Sequence, residues 1–139
     1  MWCTIMEISE SQGKVDYSSI KAIVIDDDAD VRDVFVELLQ MNEINVVGTG
    51  SSGGDALELY ITHNPDFVFI DYLMPEFNGL YGAAQIKEFD PHARIVLVSG
   101  SYFENSEHEK LVSATLKKPI EIKDVMSTIN KMICTMNVK

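Results

Sequence analysis

Five short apolar runs alternate along this chain with stretches of helical periodicity. The runs cover positions 22–25, 46–48, 67–70, 95–98 and 114–116. The first, third and fourth are continuously apolar, which is typical of parallel strands that are covered on both faces. Strict alternation of strand and helix predicts a parallel sheet whose connections are right-handed crossovers. The predicted fold class is therefore α/β.

The stretches between the runs carry apolar residues at helical spacing. The first has a stripe at i, i+3, i+4, i+7 and i+8, formed by Val31, Val34, Phe35, Leu38 and Leu39. Similar stripes recur in 56–61, 83–89 and 122–133. The pattern is poor in 102–112, so we expect a short or irregular helix there. Five such units fit a flavodoxin-like, doubly wound five-stranded sheet in the order 2-1-3-4-5 with helices on both faces.

Charged residues follow three of the predicted strands at the point where each strand ends. Asp26, Asp27 and Asp28 come directly after the first run, Asp71 follows the third, and Lys118 closes the fifth. In the order 2-1-3-4-5 the first and third strands are neighbours, and ligands bind in the crevice at their carboxyl ends. We therefore expect these acids and the lysine to converge in one crevice.

Several carboxylates in one crevice repel one another unless a cation lies among them. Unit charges about 4 Å apart interact by roughly 4 kcal/mol at an effective dielectric near 20, and the single ammonium of Lys118 does not balance three acids. Mg2+ does, because it typically binds one or two carboxylates together with waters and a substrate phosphate. The sequence thus predicts a Mg2+ site that also holds a phosphoryl group. Ser99 adds a hydroxyl at the end of the fourth strand, and Gly100 leaves the backbone open to close approach.

Composition restricts the classes of partner and compartment. The 139 residues suit one domain, and the net charge of -11 argues against nucleic acid, whose affinity comes largely from Lys and Arg. No apolar run approaches the roughly 20 residues of a membrane span, and the first residues lack a signal-peptide pattern. Cys3 and Cys134 show no metal or framework spacing. A disulfide between them stays open, but our interpretation is two unrelated thiols in a reducing cytoplasm.

Two other classes of phosphate-handling protein are disfavoured. A flavodoxin cradles its cofactor phosphate with a hydroxyl-rich loop after strand 1, whereas the acidic loop 26–30 would repel a bare phosphate. Neither a P-loop nor a GxGxxG motif appears. The aspartate-based phosphatases require a second Asp two positions after the nucleophile, where this chain has Leu73.

The chain resembles the receiver domain of two-component response regulators, and in particular the stand-alone regulators of the chemotaxis type. The resemblance extends over about Ser19 to Met136, so we divide the chain into an N-terminal extension, 1–18, and a receiver domain, 19–137. The motifs occur in the family's order and at the predicted strand ends. They are Asp26-Asp27 with Arg32, then Asp71-Tyr72-Leu73-Met74-Pro75-Glu76-Phe77-Asn78-Gly79, Val98-Ser99-Gly100 and Lys118-Pro119.

The resemblance implies a signalling domain and not an enzyme with a substrate of its own. Asp71 would accept a phosphoryl group from a histidine kinase or a histidine phosphotransfer protein, while Ser99 and Lys118 bind the phosphoryl oxygens. The Lys118-Pro119 bond would be cis. Such a domain catalyses only its own phosphoryl transfer and slow self-dephosphorylation, and it signals through contact with a downstream protein.

The resemblance also implies how Mg2+ is held. Asp27, Asp71 and the backbone carbonyl of Leu73 would be ligands, with Asp26 acting mainly through water. We interpret Asp28, the third acid of the run, as a helix N-cap.

Three departures from the family pattern concern the switch and the lifetime of the phosphoryl group. The predicted switch residues are Ser99, Gly100 and Thr115. Thr115 stands where an aromatic residue is usual, and the segment 99–118 is a few residues shorter than typical. Leu73 and Ser101 occupy positions where polar or acidic residues often tune loss of the phosphoryl group. We expect intact chemistry with an unusual output surface.

Two other roles stay open at this point. The chain could be a phosphate-independent adaptor or binding module on the same fold, which Thr115 and the short fourth segment favour. It could also be a phosphate sink that drains a shared kinase. The intact acids and lysine favour the phosphorylatable receiver over the adaptor, whereas the sequence does not separate a sink from a messenger.

Overall fold

The computed structural model describes residues 17–100 and 108–137. Within them five parallel strands form one sheet in the order β2-β1-β3-β4-β5, which confirms the predicted fold. The strands are β1 Lys21–Ile25, β2 Asn45–Gly50, β3 Phe67–Asp71, β4 Ile95–Ser99 and β5 Ala114–Lys117. The proposed boundary between an extension, 1–18, and a domain, 19–137, stays a prediction, and residues 1–16 lie outside the described part.

Helices connect successive strands, as the apolar stripes predict. They are α1 Ala29–Met41, α2 Ala56–His63, α3 Gly79–Phe89, α4 His108–Leu111 and α5 Ile122–Asn137, and a 3-10 turn at Gly53–Asp55 precedes α2. The described part of the fourth helix is the single turn His108–Leu111, and the start of the segment predicted to hold it lies outside the described residues.

The sheet is covered on both faces, and alternate strand residues supply the two cores. Val24 and Phe69 face α1 and α5, where the rings of Phe35 and Phe69 meet edge to face at 5.1 Å between centroids. Ile23 and Ile70 face α2 and α3 on the other side. Because period-2 alternation sends neighbours to opposite faces, a strand buried on both must be apolar throughout.

The stripe on α1 is only partly buried, which corrects one sequence prediction. Phe35 and Leu39 are buried, but the side chain of Val34 is 59% exposed. Val34 lines an open groove next to the β5–α5 connection. Ile61 and Phe89, the last residues of the predicted stripes 56–61 and 83–89, are also more than half exposed.

The strand register brings the chemically important positions to one edge. Ile25 of β1 pairs with Ile70 of β3, so the residues that follow them are neighbours across the sheet. Asp71 pairs with Val98 of β4, one residue before Ser99. Ser99 in turn pairs with Lys117 of β5, one residue before Lys118.

Two further observations concern membrane-spanning helices and the two cysteines. No helix in the described ranges is long and apolar enough to cross a membrane. Cys134 is disulfide-bonded, so the interpretation of two unrelated thiols is wrong. Cys3, the only other cysteine in the sequence, lies outside the described residues.

Candidate functional site

Three carboxylates meet at the carboxyl edge of the sheet. Asp26, Asp27 and Asp71 each offer an oxygen, and these oxygens all lie within 4.8 Å of one another. Asp26 is 3% exposed and Asp71 is 6% exposed, whereas Asp27 faces solvent. The convergence predicted from the strand ends is confirmed.

The backbone around Asp26 holds the first acid in place. Its N–H donates to the carbonyl of Gly50 (3.1 Å), its Oδ1 accepts from the N–H of Asp28 (2.9 Å), and its carbonyl accepts from Nη1 of Arg32 (2.7 Å). These contacts tie the end of β1 to both β2 and α1.

Asp28 is the N-cap of α1, as predicted. Its carboxylate accepts from the N–H groups of Asp30 and Val31, donors that have no partner inside the helix. The run of three acids therefore divides into two residues that line the crevice and one that starts the helix.

Lys118 supplies the positive charge of the crevice. Its Nζ lies 3.2 Å from Oδ2 of Asp26 and 3.3 Å from Oδ1 of Asp71. Burial alone would lower the pKa of this ammonium, but the carboxylates of Asp71 and Asp26 outweigh burial and raise it. Lys118 is therefore charged at neutral pH and bridges two of the three acids.

One lysine does not compensate the cluster. Burial, followed by the negative charge of Asp26, raises the pKa of Asp71 to about 6, although Lys118 opposes the shift. An ionised Asp71 is thus costly in the protein without a bound cation. Hard oxygen donors with a surplus of negative charge are the donor set that a divalent ion such as Mg2+ prefers.

The end of β4 adjoins the lysine. Ser99 is 3% exposed, and its carbonyl accepts from the N–H of Lys118 at 2.9 Å. The Lys118-Pro119 bond is cis, as the resemblance implied. Among the described residues, a Cβ on Gly100 would meet no atom within 4 Å.

The loop after β3 needs a glycine at position 79, where it runs close to the backbone of Asp71. A Cβ on Gly79 would lie 2.5 Å from the carbonyl oxygen of Asp71, closer than real contacts allow. The N–H of Gly79 donates to the carbonyl of Tyr72 (2.9 Å), and Asn78 caps α3 through the N–H of Tyr81. These two residues therefore shape the turn that leads from β3 into α3.

A second loop supports the first, and the sequence reasoning missed it. The N–H of Gly53 donates to the carbonyl of Phe77 at 2.7 Å, and a Cβ there would lie 2.3 Å from the carbonyl oxygen of Asn78. The β2–α2 turn thus packs against the β3–α3 loop. The adjacent Gly53 and Gly54 were the only signal of this contact in the sequence.

Two further predicted positions, Leu73 and Thr115, are exposed to solvent. The side chain of Leu73 is 64% exposed, and Thr115 on β5 is also exposed. Ser101 lies outside the described residues. The structure therefore places Leu73 at the surface of the loop that follows Asp71.

A groove opens beside the crevice between α1 and the β5–α5 connection. Its volume is about 650 Å³, and its largely apolar lining includes Val31, Val34, Leu38, Pro119 and Ile120. The groove begins at Lys118 and Gly100, so it adjoins the acid cluster directly.

The fold and the crevice together define a class of signalling protein. Residues 22–130 match the family described as the response regulator receiver domain. The chain belongs to this family, which serves two-component signalling.

Comparisons with individual proteins support the assignment to this family. The chemotaxis protein CheY of Bacillus subtilis (strain 168) is 29% identical over 116 residues, covering 81% of this chain and 97% of that one. The structure of a CheY-like receiver domain from Methylobacillus flagellatus superposes with a TM-score of 0.73 at 28% identity, covering 81% and 98%.

A third relative is a larger protein. Protein-glutamate methylesterase/protein-glutamine glutaminase 4 of Geobacter metallireducens is 40% identical over 83 residues, covering 59% of this chain but only 24% of the relative. The shared part is the receiver, which is a signalling domain.

Proposed function

We propose that the chain is a phosphorylatable receiver that accepts a phosphoryl group on Asp71 and signals by protein contact in the cytoplasm. The observation that carries this proposal is the convergence of Asp71 with Asp26, Asp27 and Lys118 in one crevice. An adaptor that does not respond to phosphate would have no need to hold a buried, costly carboxylate beside a lysine.

The crevice fits Mg2+ as its cofactor. Asp27, Asp71 and the carbonyl of Leu73 would hold the ion, with Asp26 acting mainly through water. Bound there, Mg2+ would neutralise the acids and the charge of the phosphoryl oxygens.

Each side chain of the crevice would have a separate role in phosphoryl transfer. An Oδ of Asp71 attacks phosphorus, so that a new P–O bond forms while the P–N bond to the donor's histidine breaks. Nζ of Lys118, 3.3 Å from Oδ1 of Asp71, is close enough to bind a phosphoryl oxygen. Ser99, buried at the end of the adjacent strand, offers a hydroxyl to another oxygen. Most of the catalysis is positioning and charge stabilisation.

The donor would be a histidine kinase or a histidine phosphotransfer protein. The groove beside the crevice supports this assignment, because a donor that delivers a phosphoryl group to Asp71 must contact the rim. The exposed Val34 and the apolar Pro119 and Ile120 would give it a surface to bury.

Intact-mass measurement after incubation with acetyl phosphate and Mg2+ tests the proposal. We expect a gain of one phosphoryl group on the native chain, since acetate can leave as histidine would. Asp71→Asn, which keeps the shape of the side chain and removes the nucleophile, should show no gain. An unmodified native chain, under conditions in which a known receiver is modified, would favour the adaptor.

The switch should be muted. In a typical receiver the serine moves toward the phosphoryl group and an aromatic ring turns inward to fill the space. This chain has Thr115 at the position of that ring, and Thr115 is small and exposed. Tyr102 and Phe103, which could substitute for it, lie outside the described residues. We expect amide exchange with and without beryllofluoride, a phosphoryl mimic, to change little in 111–122. Large protection changes in this segment would show that another side chain transmits the switch.

A further inference from the structure

The β2–α2 turn, residues 51–55, lies between the two loops that carry the proposed metal ligands. Next to the loop after β1, the carbonyl of Gly50, which directly precedes the turn, accepts from the N–H of Asp26 at 3.1 Å. Next to the loop after β3, the N–H of Gly53 donates to the carbonyl of Phe77 at 2.7 Å. One short segment therefore contacts both loops.

The contact with Gly53 acts on a closed loop. The N–H of Gly79 donates to the carbonyl of Tyr72 at 2.9 Å and so closes the β3–α3 loop at its base. Leu73, whose carbonyl is a proposed ligand, and Phe77 both lie inside this closed segment. A displacement of Phe77 by the turn is therefore transmitted to the proposed ligand at position 73.

The turn approaches the loop so closely that position 53 must be glycine. A Cβ on Gly53 would lie 2.3 Å from the carbonyl oxygen of Asn78 and 2.5 Å from that of Phe77. Both are backbone atoms, so a side chain could be accommodated only if the loop or the turn moved. The neighbouring Gly54 differs, because a Cβ there would lie 3.0 Å from Cδ2 of the partly exposed Phe77 ring, which can turn aside.

The carboxylate of Asp55 fixes the shape of the turn. Its Oδ2 accepts from the N–H groups of Ser51 (3.0 Å) and Ser52 (3.2 Å), while Oγ of Ser52 accepts from the N–H of Gly54 (3.1 Å). These bonds form a capping box at the start of the 3-10 turn. The side chain of Asp55 also packs close to the end of β2, since a Cβ on Gly50 would lie 3.0 Å from its Cβ.

We propose that Gly53 and Asp55 are positioning residues for the metal. Through the β2–α2 turn they hold the loop that carries Asp27 and the loop that carries the carbonyl of Leu73 at the separation that Mg2+ requires. The inference rests on the proposed function, because it concerns the same Mg2+ site. Mg2+ demands near-ideal octahedral geometry at about 2.0–2.1 Å from its ligands, so a small displacement of one loop weakens binding.

The two adjacent glycines provide a matched test. Gly53→Ala should raise the Mg2+ dissociation constant roughly tenfold or more, as the loss of a partner that orients metal ligands typically does. Gly54→Ala adds the same methyl group to the same turn and should leave the constant unchanged. Isothermal titration calorimetry with Mg2+, at a temperature at which each variant is folded, measures the constant.

Asp55→Asn provides a second test that introduces no steric clash. It keeps the shape of the side chain but weakens the two bonds to the turn, so the Mg2+ dissociation constant should rise less than in Gly53→Ala. This variant answers the question even if Gly53→Ala does not fold. Glu58→Gln removes an exposed acid from the first turn of α2 and should leave the constant unchanged, which controls for the lost charge.

Two measurements separate positioning from a general loss of stability. Ile129→Val, in the core on the α5 side, should lower the melting temperature in EDTA without changing the Mg2+ dissociation constant. In phosphorylation by acetyl phosphate, Gly53→Ala should need more Mg2+ for its half-maximal rate. Its rate at saturating Mg2+ should approach that of the native chain, because Asp71 and Lys118 are unchanged.

Three results would count against the inference. Native Mg2+ dissociation constants in Asp55→Asn and in any folded Gly53→Ala would overturn it and leave the proposed function intact. Equal increases in Gly53→Ala and Gly54→Ala would also overturn it, because the close contact with the loop backbone would then not matter. A native chain that binds no Mg2+ would contradict the proposed function itself, and the inference with it.

Discussion

Millimolar Mg2+ is expected to raise the melting temperature of this protein without any phosphorylation, and Asp27→Ala should remove most of the increase. The reason is the uncompensated cluster of Asp26, Asp27 and Asp71, which one lysine does not neutralise. A ligand that binds only the native state stabilises it by about 2.7 kcal/mol at 100 times its Kd. For a domain of this size that corresponds to roughly 10 °C. Calorimetry with and without Mg2+ provides the measurement.

Asp28→Ala is the matched control, because Asp28 belongs to the same acidic run but caps α1. Its loss should cost about 1 kcal/mol with and without the ion and leave the Mg2+ increment intact. If Asp28→Ala abolishes the increment and Asp27→Ala does not, the assignment of metal ligands along this run is wrong by one position.

The increase in melting temperature that Mg2+ causes should also depend on pH, because Asp71 must be ionised to bind the metal. Its pKa in the folded protein, about 6, lies above its ordinary value of 3.8, so the native state holds the proton more tightly than the unfolded chain does. Without metal, the stability contributed by this group is therefore present at low pH and is lost as pH rises through about 6. Mg2+ binds the ionised form, so its effect should be large at pH 8 and should shrink below pH 6.

The position of the crevice could be predicted because parallel topology converts sequence order into spatial order. Once Asp26 follows β1 and Asp71 follows β3, the strand order 2-1-3-4-5 makes them neighbours, and the register observed between Ile25 and Ile70 fulfils this. The same argument places Lys118 beside them. Local capping chemistry was sufficient to separate Asp28 from the two acids before it.

What the sequence did not predict depends on contacts between distant segments. An amphipathic stripe identifies the face of a helix but not what covers it, and so Val34 proved exposed at the edge of a groove. The support that Gly53 gives to the β3–α3 loop, and the bond from Tyr17 to Asn130 on α5, join residues with no common local pattern. Neither contact follows from spacing or propensity.

Slow loss of the phosphoryl group from Asp71 is the second large effect we expect, and Leu73→Asn should accelerate it. Hydrolysis needs a water placed in line with phosphorus, opposite the aspartyl oxygen. A polar side chain two positions after the acceptor can orient that water, whereas Leu73 offers no hydrogen bond and can shield the phosphoryl group. Positioning a reactant can account for several kcal/mol of a barrier, and each 1.36 kcal/mol is about tenfold in rate. A several-fold faster decay of the phosphoprotein in Mg2+ buffer is therefore the expected result.

Leu73→Ala distinguishes the two physical causes of that acceleration. It removes the apolar shield without adding a hydrogen bond, so a rate equal to that of Leu73→Asn would assign the slow decay to shielding alone. A rate between the native protein and Leu73→Asn would assign part of it to orientation of the water. Because Leu73 is 64% exposed, neither substitution opens a cavity. The increase in melting temperature with Mg2+ should also be unchanged, since only the backbone carbonyl at this position would hold the ion. Decay no faster in Leu73→Asn than in the native protein would show that this position does not set the lifetime, and that the rate is governed elsewhere in the crevice.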